Sequence, residues 1–179
     1  MQESFAEILA IGGRTNSLGR AAEVLQIVLN DQSRLNELYE CVFADDAWVR
    51  MRAIDALEKV CRVHPKWLLP YAGRLLDTVA TNHQPSIQWH LAQMFGELQL
   101  SLSQRTRAIA IMKQNLANAQ VDWIVASNSM DTLAAFVRSG YMAAPELLPL
   151  LHIQQAHHSK AVAKRAMKLE ASFAGSTAP

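Results

Sequence analysis

The sequence predicts an all-α fold, an α-α superhelix (solenoid) of about four stacked helix pairs behind an N-terminal capping helix. Three observations carry that reading. Apolar residues recur at spacings of three and four almost throughout, with no sustained alternation of the kind a strand requires. A segment beginning at Val49 returns after 38 residues and again after 38. The breaks between periodic segments are short and carry helix-start and helix-stop residues.

The elements follow in order. A capping helix is expected over 17–30, with Leu18, Ala22, Leu25 and Val28 as its apolar stripe, after a break at Gly12-Gly13-Arg14. The first pair, 33–62, opens with Leu35, Leu38, Tyr39 and Val42. It continues, after caps at Asp45 and Asp46, with Val49, Ile54, Leu57 and Val60. The second pair, 65–99, starts at Pro65 with Leu68, Tyr71, Leu75 and Val79. Pro85 then precedes Ile87, Ala92, Phe95 and Leu98, which align with the four core positions of the first pair. The third, 102–138, carries Ala108, Met112 and Leu116, then Val125, Met130, Leu133 and Phe136, and Gly140 follows its end. The fourth, 143–172, carries Leu147, Leu148 and Leu151, then Val162, Ala166 and Leu169 with one residue deleted from the step. One such pair cannot bury its own stripe, whereas a stack can. A single repeat domain over 1–174 is therefore expected, with a frayed tail at 175–179.

Composition narrows the function classes. Half of the 179 residues are hydrophobic, enough for a sizeable core. With 17 basic and 16 acidic side chains the formal charge is +1, so the chain as a whole has no attraction for nucleic acid or an anionic membrane. Glu3 and Glu7 stand where a signal peptide carries basic residues, and no apolar run reaches the roughly 20 residues of a membrane span, which favours a cytoplasmic protein. Cys41 and Cys61 lie in apolar helical segments with no CxxC spacing, as buried free thiols of a reducing compartment do.

The second helix of the first pair resembles the HEAT repeats, in which that helix commonly reads Asp, two residues, Val-Arg, two residues, Ala, two residues, Ala-Leu. Asp46, Val49, Arg50, Ala53, Ala56 and Leu57 reproduce the order. The Leu-Leu-Pro common in the family's first helices occurs twice, as Leu68-Leu69-Pro70 and Leu147-Leu148-Pro149. In later copies Val-Arg becomes Ile87-Gln88 and Val125-Ala126, so the arginine is lost while the apolar frame persists.

The resemblance implies that the second helices face a concave side, where polar columns mark the exposed ridge. Arg52, His90 and Asn128 form one column, and Asp55, Gln93 and Asp131 the next, with Lys164, Arg165 and Lys168 at the far end. Trp89, beside His90, offers an aromatic anchor of the kind enriched in binding hot spots. Trp48 is a weaker candidate for the same role, and Trp67 and Trp123, near helix starts, read as packing between repeats. Arg50 and Asp55 also fit a ladder between neighbouring repeats, the role expected of Arg50.

No metal site is expected: the six histidines include no HExxH and no cysteine at ligand spacing, and adjacent His157 and His158 would point to different sides of a helix. GxSxG, a P-loop lysine and a dinucleotide glycine fingerprint are missing, so neither an enzyme nor a cofactor is expected. The function expected is a noncatalytic interaction or scaffold module that holds a protein helix or peptide in its groove, with neither nucleic acid nor membrane as partner. The alternative is DNA binding or repair of alkylated bases, because some DNA glycosylases are built from HEAT-like repeats. Trp89, Asp131 and Arg165 would imitate their aromatic, acidic and basic set, and 157–168 would supply a basic patch.

Overall fold

A computed structural model describes residues 3–13 and 17–174, and its regular structure is helical throughout that range. The tail expected to fray, 175–179, lies outside the described residues, as does Arg14 of the predicted break. The chain divides into two compact units, Met1–Gln99 and Leu100–Pro179, with the division between the second and third predicted pairs.

Unit 1 contains α1 (Phe5–Ala10), α2 (Ala21–Asn30), α3 (Leu35–Glu40), α4 (Ala47–Val63), α5 (Pro65–Leu68), α6 (Ala72–Asp77) and α7 (Pro85–Glu97). Its centre is α4, which packs on α1, α2 and α3 and, along its other flank, on α7. Val49, Ile54, Leu57 and Val60 of α4 are buried, as are Ile87, Ala92 and Phe95 of α7. Truncating such a leucine to alanine costs about 2–5 kcal/mol.

Unit 2 contains α8 (Leu102–Leu116), α9 (Trp123–Arg138), α10 (Ala144–Gln154) and α11 (Lys160–Ala174). Here α8 pairs with α9 and α10 with α11, while α10 also lies along α8 and α11 along α9. First helices thus neighbour first helices and second helices neighbour second helices, the arrangement that lets a stack of pairs share one core. Ala108, Met112 and Leu116 of α8, Leu147 and Leu151 of α10, and Val162 and Ala166 of α11 fill it.

The 38-residue step sets where the second helices begin. Asp46, Gln84 and Asp122 are the N-cap residues of α4, α7 and α9, and Ser159, one residue short of the next step, precedes α11. Asp46 and Asp122 accept hydrogen bonds from first-turn amides, at 2.7 Å from Trp48 and 2.9 Å from Ile124.

The turns within the pairs are closed by long side chains. Arg50 donates from Nη1 to the carbonyls of Ala44 (2.7 Å) and Asp45 (2.8 Å), and its Nε reaches Gln84 of the next pair at 2.9 Å, the linking role expected of it. Gln88, at the same register in α7, donates to Ala80 and Asn82 in the same way. At Ala126 no such side chain exists, and the carbonyls of the third turn are taken instead from the fourth pair. Gln154 Nε2 donates to Leu116 (2.9 Å) and Asn118 (3.1 Å), and His157 Nε2 reaches the Val121 carbonyl at 2.8 Å. Buried carbonyls need partners, so the loss of the arginine is offset by these two residues.

Several expectations need correction. The helix α1 was not anticipated, although Ser4 and Glu7 form a capping box around its start. The capping helix begins at Ala21, and its buried face is Ala21, Val24 and Val28, while Leu18 and Ala22 are exposed. The first helix of the second pair is broken into α5, a 3₁₀ turn over Leu69–Tyr71 at Pro70, which has no amide to donate, then α6 and a further 3₁₀ turn over Val79–Thr81. His157 and His158 occupy the turn before α11 rather than a helix, and their rings stack. Trp123 is 53% exposed and so is no packing residue, whereas Trp67 is half-buried against the His64 ring.

Candidate interaction surface

The residues expected on a binding ridge divide between the two units, and the units use them differently. In unit 1 most of them face inward. Arg52 is 1% exposed, and its guanidinium donates to the carbonyls of Leu9 (2.6 Å), Ser17 (2.9 Å) and Gly13 (3.0 Å). It is a clamp on the N-terminal segment and is closed to ligand. Gly12 is fitted to that clamp, since a Cβ there would lie 2.5 Å from Arg52 Nη2. The break at Gly12-Gly13 is therefore a docking point for a buried arginine.

Asp55 is buried, with Oδ2 held by Lys59 Nζ at 2.6 Å. His90 is also buried, 3.8 Å from Asp55 Oδ1, and the Trp89 ring lies against its imidazole. Burial, reinforced by the charges of Lys59 and Arg62, pushes the His90 pKa down to about 3. The Asp55 carboxylate lies beyond hydrogen-bond distance and already carries the Lys59 ammonium, so burial outweighs its pull on the imidazole. Neither Arg52 nor His90 can line an open groove. Trp89 and Gln93 are half-buried.

In unit 2 the same columns are open. Asn128 is half-buried and donates to the carbonyl of Ile124, one turn back on its own helix. Asp131 on α9 and Arg165 on α11 form a two-bond pair, Nε to Oδ1 at 2.6 Å and Nη2 to Oδ2, with 41% and 49% of their side chains exposed. An exposed pair of this kind contributes about 0–1 kcal/mol. Around it lies a cleft of about 380 Å³ lined by Asp131, Arg138, Arg165, Lys168, Leu169 and Ser172.

The local sequence explains the cleft. Val162, Ala166 and Phe173 anchor one face of α11 in the core, so Lys160, Lys164 and Lys168, spaced four apart, fall on the opposite exposed face. Arg138 stands two turns after Asp131 on α9, with its guanidinium over the Phe173 ring at 5.5 Å. Sequence reasoning missed Arg138, although its spacing of seven from Asp131 places both on one helix face. The Ser172 hydroxyl donates to the Leu169 carbonyl at 2.7 Å, and Asp131 is neutralised by Arg165, so neither is poised as nucleophile or base.

The charge of the chain is divided as well. Unit 1 holds 12 acidic and nine basic residues, unit 2 four acidic (Asp122, Asp131, Glu146, Glu170) and eight basic, so a formal −3 and +4 compose the near-neutral whole. The overall +1 conceals a basic half.

Helix pairs at a constant step, with first-helix and second-helix neighbours and side chains that close each turn, define an α-α helical repeat protein. The chain belongs to the HEAT repeat family: the HEAT repeat domain model matches residues 13–119. No curated protein and no solved structure matches the chain. The family match ends before α9, so the cleft on α9 and α11 lies beyond it. No helix among the described residues is long and apolar enough to cross a membrane.

Proposed function

We propose that the chain is a noncatalytic interaction module that holds a helix or extended peptide of a protein partner along the second helices of its repeats, with the working surface on α9 and α11. Membership of the HEAT repeat family supports the interaction or scaffold role. The observation that carries the location is the convergence of Asp131, Arg165 and Lys168 on one cleft, with Lys164 beside it. Asn128 extends the same helix face one turn toward the start of α9. Trp89 and Gln93 remain secondary contact candidates in unit 1, since each is only partly buried. The two buried free thiols suit a reducing, cytoplasmic setting.

A photo-crosslinking residue placed at Lys168, and separately at the exposed Thr106 of α8, tests the location in the native cell. Capture of a protein at Lys168 and not at Thr106 is expected. Capture at Thr106 with none at Lys168 would move the working surface away from α9 and α11.

A further inference from the structure

We propose that the cleft between α9 and α11 recognises an acidic segment of the partner protein, with Asp131 as a built-in competitor for Arg165. The inference rests on the interaction-module reading above and adds the chemistry of what is bound.

Four features lead to it. Lys160, Lys164 and Lys168 form a row on the exposed face of α11, each one turn from the next, about 6 Å apart along the helix axis. None of the three makes an ion pair among the described residues, in contrast to Lys59 and Lys113, which each hold a carboxylate. The field around the row is basic, because unit 2 has twice as many cationic as anionic side chains and two of its four acids are already engaged, Glu146 by Lys113 and Asp131 by Arg165. An apolar element accompanies the charge: Leu169, next to Lys168, lines the cleft, and Met167 is 52% exposed on the other flank of the lysine row.

A segment with carboxylates one helical turn apart and an apolar residue beside them matches this row, since acidic side chains four apart on a helix share one face. The fit to a protein is better than to a nucleic acid. Tight duplex binding draws on about 6–10 phosphate contacts, and this short face has fewer cations to offer. Its central carboxylate, Asp131, would also stand against a continuous run of phosphates, whereas a peptide can leave that position uncharged. Asp131 occupies the Arg165 fork with the bidentate geometry a partner carboxylate would use. It therefore lowers the affinity of the cleft for acidic partners in general and selects those able to displace it.

The test is fluorescence anisotropy on the full chain with three labelled probes: an alanine-based helical peptide carrying glutamate at every fourth residue, its glutamine counterpart, and a short DNA duplex. The glutamate peptide is expected to bind more tightly than the other two, and more weakly as salt is raised. The variant Lys164→Gln/Lys168→Gln weakens that binding by about tenfold, and Asp131→Asn strengthens it several-fold by releasing Arg165. Circular dichroism of each variant checks that the fold is retained. Equal binding of the glutamine peptide, or weakening by Asp131→Asn, would overturn the proposal. Preference for the duplex, abolished by the double lysine change, would assign the face to nucleic acid and overturn it too. If no peptide binds while the crosslinker at Lys168 still captures a protein, the acidic chemistry fails and the interaction module stands; if both fail, both readings fall.

Discussion

Arg52 and Arg165 stand at the same register in the second helices of the first and last pairs, and they do opposite things. Arg52 is sealed inside unit 1, where three carbonyls of the N-terminal segment consume its guanidinium. Arg165 is exposed on unit 2 and meets a carboxylate of the neighbouring second helix. The aspartates of the next column, Asp55 on α4 and Asp131 on α9, differ in the same sense, buried in one case and half-open in the other. A polar column in a repeat thus marks a register, and what packs over it decides its use. In unit 1 the segment that includes α1 and the Gly12-Gly13 break lies over that register at α4 and turns the column into structure. In unit 2 α11 has basic residues there and leaves them in water.

The comparison can be broken in several ways. The largest effect is expected from Arg52→Met, which removes three hydrogen bonds and leaves buried carbonyls unpartnered; urea unfolding should show a loss of about 3–5 kcal/mol. A loss under about 1 kcal/mol would mean that Arg52 is not a clamp.

Next comes acid. His90 is held neutral in the folded state with its pKa depressed from 6.5 to about 3, so its contribution is fully present above about pH 6.5 and is lost as pH falls toward 3. Stability should fall over that window by an amount on the order of a few kcal/mol, and His90→Gln should flatten the slope. An unchanged slope in the variant would place the acid sensitivity elsewhere.

A smaller loss, about 1–3 kcal/mol, is expected from Gln154→Leu, which strands the carbonyls of Leu116 and Asn118. Gln88→Leu should match it in unit 1, because both side chains close a turn, and unequal losses would show that the two are not equivalent. The smallest effect belongs to Arg165→Gln, whose exposed pair with Asp131 should shift stability by less than about 1 kcal/mol. A larger loss in thermal melts would make Arg165 a structural residue like Arg52.

Much of the fold was legible. The 38-residue step located the starts of α4, α7 and α9, and the deleted residue located α11, because a cap and an apolar frame repeat together. The helix α1 could have been found from Ser4 and Glu7, but six residues are too few for periodicity to register. The break at Pro70 was obscured because Leu68, Leu75 and Val79 keep helical spacing across it.

The site was half legible. Asp131, Arg165 and Lys168 do converge on one cleft, since the columns of adjoining second helices meet. Arg52 and His90 depart from the expected ridge because a polar side chain need not be exposed, and nothing local to Arg52 announces three carbonyls arriving from 35 to 43 residues upstream. The division of charge between the units could have been read from the sequence by counting each half separately, and the whole-chain sum hid it.

Side-chain Nε–H exchange with water, followed by ¹H–¹⁵N NMR, tests the contrast between the two arginines most directly. Arg52 should exchange slower than Arg165 by orders of magnitude, since its Nε donates to Ser17 from a buried guanidinium while that of Arg165 donates to Asp131 in a pair open to solvent. Equal rates for the two would contradict the claim that one register is structure in unit 1 and surface in unit 2.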